Sequence, residues 1–460
     1  MLVGRVTQKR LVHRERRLNA NSFLSQDQAL LDSLQMWSGP RRSMSDLATA
    51  TKGNIFKRTY VLSPALGSTY VSAADMDRSD YAGSRLISNA QCARFDELRL
   101  TQNMVVMTRS GMNLGWAMLV RRDMDGFIGS DDLIRITTHD SEERGYIAAF
   151  LASRLGWFSV RQSISGGSVK HIEPPDVDRL QVPWPLKGVR RRIGDDFVRA
   201  AELRANSTDL IREATDEVFS CVGLQDLDEG EWARRGRELG FVARVRQRTL
   251  RAWNLSKKAA GIAYGIQHAG SRPLGDFVMP GTLRKGPSFD RIPVAPGYGV
   301  HLIGQRQLLR FRPRPKHIAK RGVPASAFCA PGTTLIAARG TFGEAETYGR
   351  AQYVSELTSA WLFSNDILRI VPREPHWSGW LYAFMRSRAA FRMVRAVATG
   401  SKQQDLHPIG LAEIPVPKGT PDAMERVNEL VHKAFDLRDE AYCAESSALD
   451  GVLAVVSEDS

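Results

Sequence analysis

The sequence predicts an α+β chain in which two globular domains, pseudo-repeats in tandem, are each followed by a long helix. Three observations carry this prediction. The stretch Ile193 to Val222 places Ile193, Phe197, Ala200, Leu203, Leu210, Ala214 and Val218 three to seven residues apart, in steps that keep to one helical face. It has no Pro, and Asp195 and Asp196 suit a helix N-terminus, so a helix of about 28 residues and roughly 40 Å is expected. The second observation is a run of collinear blocks on either side of that helix. The third is a second helical stretch near the C-terminus, where Leu430, Ala434, Leu437, Ala441, Ala444, Ala448 and Val452 step close to a heptad.

The blocks are weak in identity but keep one order. FKRTYVLSPALGSTYVSAADM from Phe56 aligns with FDRIPVAPGYGVHLIGQRQL from Phe289, pairing Phe56 with Phe289, Arg58 with Arg291, Val61 with Val294 and Gly67 with Gly299. MVVMTRSG matches TLIAARG, SDDLIRI matches SNDILRI, and GYIAAFLASR matches GWLYAFMRSR. SGGSVKHIEPPDVDRLQVPWP then matches TGSKQQDLHPIGLAEIPVP, and MSDLAT near Met44 has LGDFVM near Leu274 as its partner. Six blocks in one order point to an internal duplication.

The net charge is +14, and it is unevenly spread. Residues 1–58 hold 11 Lys+Arg against 4 Asp+Glu, and the matching 232–291 hold 13 against 3. The stretches 193–230 and 421–460 each hold 3 against 10. The basic segments carry the electrostatic footprint of nucleic-acid binding, whereas the acidic helices suit spacing or protein docking. Solubility alone is the plainer reading of a basic surface, but the excess recurs in both copies. Cys92, Cys221, Cys329 and Cys443 form no C-x-x-C pair, so neither zinc site nor disulfide framework is expected; they read as reduced core residues of a cytoplasmic protein. The N-terminus has no apolar signal segment, and the run YIAAFLASRLGWF is interrupted by Arg154 and too short to span a bilayer.

Along the chain, DQALLDSLQMW reads as a short helix, and STYVSAA, NMVVMTR, WAMLVRR and DLIRIT as strands. SEERGYIAAFLASRLGWF is helical, ISGGSVKH a loop, and EPPD a turn. Residues 223–235 read as a polar linker. The second copy repeats the plan, with SFDRIPV, GVHLIGQ, TTLIAARG, YVSELTSAWLF and DILRIV as strands, SGWLYAFMRSRAAFRMV as a helix and ATGSKQQ as a loop.

A strand ending in a Gly turn, an aromatic-rich helix containing Ser-Arg, a Gly-Ser loop and a VPWP or IPVP strand end leading into a long helix together resemble a target recognition domain. Two in tandem, each with its helix, resemble the specificity subunit of a type I restriction-modification enzyme, over about residues 45 to 455. The family often continues with a P-L-x-E-Q run, where this chain has WPLKGVRRRI and VPKGTPDAM. The resemblance implies a first target recognition domain with a basic N-terminal segment at 1–192, a spacer helix at 193–222, a linker at 223–235, a second recognition domain at 236–420 and a second spacer helix at 421–456. The helices would pair as an antiparallel coiled-coil spacer. Each domain would read half of a bipartite double-stranded DNA target, and the helices would set the gap and dock two adenine-specific methyltransferase subunits. The chain itself would hold no cofactor, S-adenosylmethionine belonging to the methyltransferase. A restriction/translocase subunit is a further implied partner, and DNA methylation and phage defence the implied setting.

Base reading favours Arg or Lys on guanine and Asn or Gln on adenine, with Ser, Thr and Lys serving phosphates. The first copy offers Arg109, Ser110 and Asn113 in a turn, and Gln162, Ser165, Ser168 and Lys170 in a loop. The second offers Arg339, Thr341 and Glu344, with Ser401, Lys402, Gln403 and Gln404. Lys57, Arg58, Lys285 and Arg291 suit phosphates, although the shared repeat position of Arg58 and Arg291 fits a structural role equally. No catalytic motif is present: EPPD lacks the Asp or Asn and the aromatic of an adenine methyltransferase tetrapeptide, and neither a phosphate loop nor H-E-x-x-H occurs. The alternative reading is a stand-alone nucleic-acid-binding or nuclease component of a defence system with two basic modules.

Overall fold

The computed structural model describes residues 26–457 apart from 82, 93–95, 112, 164–170, 235, 237, 239, 241, 243–250 and 345. The basic segment 1–25 and the loop residues Ser165, Ser168 and Lys170 lie outside the described residues. In the first half α1 (Gln26–Met36) precedes β1 (Arg41–Ser43), β2 (Ala48–Lys52), β3 (Tyr60–Val61), β4 (Gly67–Val71) and β5 (Leu86–Ser88). Then come β6 (Val105–Thr108), β7 (Ala117–Leu119), β8 (Ile128–Gly129), β9 (Leu133–Thr138), α2 (Arg144–Ala152), α3 (Arg154–Ser163), α4 (Pro174–Asp178), β10 (Gln181–Pro183) and α5 (Lys187–Ser220).

The second half begins with α6 (Glu229–Arg234) and α7 (Lys257–Ala269), and continues through β11 (Ser271–Pro273), β12 (Arg284–Lys285), β13 (Val300–Ile303), β14 (Lys316–Ile318), β15 (Thr334–Ala337), β16 (Ala351–Tyr353), β17 (Leu362–Phe363) and β18 (Ile367–Ile370). It closes with α8 (Ser378–Met385), α9 (Arg388–Ala396), the hairpin β19 (Ala398–Thr399) and β20 (Asp405–Leu406), α10 (Pro408–Ala412), β21 (Pro415–Pro417) and α11 (Pro421–Ser457).

The main sheets share one order, β2-β9-β6-β7 and β12-β18-β15-β16, antiparallel throughout. Their central strands VVMT and TLIA are buried at every position, as strands covered on both faces require. A smaller sheet in each half pairs β4 with β8, or β13 with β17, in parallel. Helices α2 and α8, nearly all apolar, cross behind the sheets onto α5 and α11. Two buried aromatics at matching places pin them: Tyr146 Oη donates to Pro183 O at 2.6 Å, and Trp380 Nε1 to Pro417 O at 3.2 Å. A Cβ on Gly145 would stand 2.4 Å from Gly194 O, so α2 meets α5 backbone to backbone. At the matching crossing Asn428 Oδ1 accepts from Gly379 N–H at 2.9 Å.

Helices α5 and α11 lie side by side and run in opposite directions, since Ser447 meets Asp196 at 3.2 Å while Arg426 meets Glu213 at 2.9 Å. Between them Arg204 forks onto Glu445 at 2.9 and 2.8 Å, and Arg312 Nε reaches the same carboxylate at 3.2 Å. Glu445 is only 3% exposed. Despite that burial, which opposes ionisation, the two guanidiniums hold its pKa down to about 2.

Several local expectations are corrected. The first helix begins at Lys187, because its charged first turns are anchored by Lys187–Glu142 at 2.8 Å and Arg190–Glu143 at 2.6 Å rather than by apolar periodicity. That extension adds four cations, so α5 carries 7 Lys+Arg against 7 Asp+Glu and is acidic only beyond Arg192. SGWLYAFMRSRAAFRMV is two helices, broken where Ser387 caps the Ala390 N–H at 3.0 Å. YVSELTSAWLF is not one strand: Ser355 and Thr358 form a capping box that starts a helical turn inside it. EPPD opens α4, with Glu173 as its cap, and the stretch read as linker holds α6. Cys443 is exposed and Cys221 half-buried, so of these only Cys329 is a core thiol. Among the described residues no helix is long and apolar enough to cross a membrane.

Removing one member of a buried ion pair leaves the other uncompensated. Glu445→Gln is therefore expected to lower stability by about 3–5 kcal/mol in urea unfolding, with Arg204→Met/Arg312→Met/Glu445→Met, which removes both cations with the carboxylate, recovering much of the loss. The pH profile has two opposed parts. Glu445, depressed to about 2, contributes stability that is present above about 4.5 and lost as pH falls below it. Asp77, buried and pushed up to about 6, contributes stability that is present below about 3.8 and lost as pH rises through 6. Asp77→Asn should flatten the acid-side gain between pH 7 and 5, read by midpoint shifts across that range.

Candidate nucleic-acid interface

In each half the end of the first main-sheet strand, the Gly turn after the central strand and the segment following the second helix converge. In the first half Arg109 follows β6, and its backbone is fixed by Arg109 N to Asp132 O at 3.1 Å and Ile172 N to Arg109 O at 3.0 Å. Its guanidinium donates to Glu173 and stands 3.6 Å from Asp132. Lys52, last in β2, reaches the same Glu173 at 2.6 Å, and Ser110 Oγ donates to Asp132. Hydrogen bonds first from Lys52 and then from Arg109 lower the Glu173 pKa. Alongside, Arg58 pairs with Asp131, donates to Tyr70 Oη at 2.8 Å and lies over the Phe56 ring.

The second half builds the same cluster from other residues. Arg339 pairs with Asp366 at 3.0 Å and lies 3.6 Å from Asp405, which also receives Lys285. Arg291 donates to Asn365 at 2.9 Å and lies over Phe289. Lys52, Arg58, Arg109 and Asp132 thus correspond to Lys285, Arg291, Arg339 and Asp366, while Asp405 takes the part of Glu173 from two residues before His407, the residue that caps α10 as Glu173 caps α4. Lys52 went unread in the sequence because block matching began at Phe56; K-G-x-x-F-x-R recurs at 52–58 and 285–291 and would have found it.

The remaining candidates fall around these clusters. Asn113 is half-buried in the turn, its carbonyl accepting from Thr108 Oγ1 and, at 2.9 Å, from Trp116 N. Gln162 is exposed in the last turn of α3. Thr341 is exposed beside Arg339, and Ser401, Lys402 and Gln403 form the exposed tip between β19 and β20. Gly340 and Gln404 exchange backbone hydrogen bonds of 3.2 and 2.8 Å, which ties that tip to the Arg339 turn. Lys57 is exposed, and its repeat partner is Asp290, so it stands apart from the duplicated cluster. Ser168 and Lys170 lie outside the described residues. Among the described residues no three metal-ligating side chains gather. Chemically, each cluster is a set of cations held in place by carboxylates beside exposed amide and hydroxyl groups. Cations so placed have the chemistry to receive an anion, and amides and hydroxyls the chemistry to hydrogen-bond a polar partner.

No family model and no curated protein matches the chain. Among solved structures it is similar to the S subunit of a type I restriction-modification system from M. genitalium, at 14% identity over 96% of this chain and 97% of that one, with a TM-score of 0.39. It is also similar to the HsdS subunit from Thermoanaerobacter tengcongensis, at 15% identity over 91% and 95%, with a TM-score of 0.27. A third similar structure comes from work on complex assembly and conformational transition of the type I R-M system, at 14% identity over 91% and 96%, with a TM-score of 0.27.

Because Glu173 is 39% and Asp405 31% exposed, their ion pairs add little to stability. Glu173→Gln and Asp405→Asn should each cost less than about 1 kcal/mol by thermal unfolding. Hydrogen exchange should quicken only in the half that carries the substitution.

Proposed function

We propose that this chain is a non-catalytic DNA-recognition subunit of a type I restriction-modification complex, each half reading one part of a bipartite double-stranded target. The observation that carries the reading is the duplicated cluster: one cation framework, Lys52/Arg58/Arg109 and Lys285/Arg291/Arg339, stands beside loops of unlike sequence. A shared framework suits the phosphate backbone, and unlike loops suit unlike half-sites. Arg109, Ser110, Asn113, Gln162, Ser168 and Lys170 serve one half-site; Arg339, Thr341, Ser401, Lys402 and Gln403 serve the other. Lys52, Lys57, Arg58, Lys285 and Arg291 take the backbone.

On this reading 1–192 and 236–420 are the recognition domains, and the helices act as an antiparallel coiled-coil spacer. The 34 residues of α5 measure about 51 Å, enough to bridge half-sites one DNA turn, about 34 Å, apart. The outer faces of the helices dock adenine-specific methyltransferase subunits, two by the symmetry of the halves, which bring S-adenosylmethionine, and a restriction/translocase subunit joins them. The protein acts in the cytoplasm of a prokaryotic cell, in phage defence.

Arg109→Ala is expected to weaken binding to one half-site by about tenfold, the worth of a good base or charged contact, and Arg339→Ala the other, measured on duplexes with either half scrambled. Equal loss at both half-sites would overturn the modular reading. Co-expression with the methyltransferase encoded nearby, followed by genome-wide mapping of N6-methyladenine, should give a bipartite motif with a fixed gap that appears only with this chain. Shortening α5 by two turns should change that gap. A chain that binds nucleic acid alone and leaves methylation unchanged would favour the stand-alone module.

A further inference from the structure

Beside the paired long helices, the two halves touch at an antiparallel contact. Arg78 lies opposite Arg310, Ser79 N–H donates to Leu309 O at 3.0 Å, and Phe311 N–H donates to Asp77 O at 3.1 Å. Residues 78 and 310 occupy equivalent places in the two halves, so the contact is of the kind made across a twofold axis. Each side of such an axis should repeat the other, and here the sides differ.

On one side Arg312 extends between Ala117 O at 3.2 Å and Ala152 O at 3.4 Å and, with Arg204, clasps the Glu445 carboxylate. On the other side Ala351 stands for Ala117, Arg386 for Ala152, Arg438 for Arg204 and Asp80 for Arg312, while Ile211 replaces Glu445. A short side chain has replaced a long one, and an apolar group has replaced the carboxylate. The result is a cavity of about 80 Å3 lined by Arg78, Arg306, Arg310, Arg350, Arg386 and Arg438. Among the described residues Asp80 is the one carboxylate on that lining, and it already receives Arg386 at 2.7 Å.

Arg438 donates to Ser207 Oγ at 3.1 Å and Ser79 O at 3.4 Å, and Arg310 to Ala74 O at 3.2 Å; neither they nor Arg306 make an ion pair among the described residues. Burial lowers the Arg438 pKa, with Arg386 adding to the effect. Guanidiniums gathered around one space repel each other unless an anion lies between them, and they match tetrahedral oxyanions through paired donors.

We propose that this cleft binds a phosphate-class anion, inorganic phosphate or the phosphate of a nucleotide, between the two halves, in the place that the Glu445 carboxylate holds across the axis. The site joins α5, α11 and both halves, so its occupation ties them together. This inference goes beyond the DNA-reading role and does not depend on it.

The test uses the full chain in chloride at constant ionic strength, titrated with inorganic phosphate and, separately, a nucleoside monophosphate, and followed by calorimetry and thermal unfolding. A saturable rise in Tm is expected. Tighter binding of the monophosphate assigns a nucleotide, and equal or tighter binding of inorganic phosphate assigns the free ion; either supports the site. Arg310→Gln should weaken the apparent Kd about tenfold, the size of one charge-assisted hydrogen bond. Ile211→Glu, which supplies the missing carboxylate from the protein itself, should keep the phosphate-free Tm and lose the response. Absence of a saturable effect in the native chain, or an unchanged Kd in Arg310→Gln, overturns the proposal. A loss of duplex affinity in Arg310→Gln with no response to either small anion also overturns it and assigns the cations to the DNA backbone.

Discussion

The Glu445 carboxylate, received by Arg204 from the neighbouring helix and by Arg312 from the second half, is the interaction on which the arrangement of the molecule depends. Three parts of the chain meet at one buried charge: α5, α11 and the segment that crosses to the first half. Hydrophobic contact alone lets two long helices slide by a turn at small cost, because apolar surface is non-directional. A forked guanidinium on a carboxylate does not permit sliding, since a shift of one turn leaves a charge buried without its partner. Phe311 completes the lock, its ring lying beneath Arg121, Arg204 and Arg438 at 4.6 to 5.4 Å.

The polar clusters at the sheet ends follow a different logic. They are half-buried to exposed, and their ion pairs contribute little to the fold. Their value is geometric: Glu173 and Asp405 hold two cations each at fixed positions while remaining exchangeable. The anchoring carboxylate comes from different positions, Glu173 at the cap of α4 in one half and Asp405 two residues before the cap of α10 in the other, and Arg58 meets Asp131 where Arg291 meets Asn365. The carboxylate count thus differs while the cations persist.

Much of this plan was legible in the chain because weak patterns that occur twice in one order reinforce each other. The second long helix is found from Pro421 to Ser457, within a residue of the span read from its heptad-like steps. Pattern failed where charge rather than apolar periodicity decides structure. Lys187 to Arg192 look like a loop until Glu142 and Glu143 are seen across from them. The break at Ser387 was hidden because the runs GWLYAFM and AAFRMV beyond Arg386 and Arg388 read as one continuous helix, and only a cap marks the boundary. The clusters were partly legible: Arg58, Arg109, Lys285, Arg291 and Arg339 were singled out, but not their partners, because Glu173 lies 64 residues from Arg109 and 121 from Lys52. Only the fold brings those together.

The crossing of Gly145 on Gly194 leaves no room for a single added carbon. With backbone seated on backbone, the first half is keyed to one angular setting on α5 and cannot swivel about it. A helix is a screw, advancing about 1.5 Å and turning about 100° per residue. Any residue gained or lost between that seat and the Arg204 fork would therefore rotate the half as well as move it. Distance and orientation are two readings of one number here, and the shortest change that leaves the half facing nearly the same way is about seven residues, close to two full revolutions.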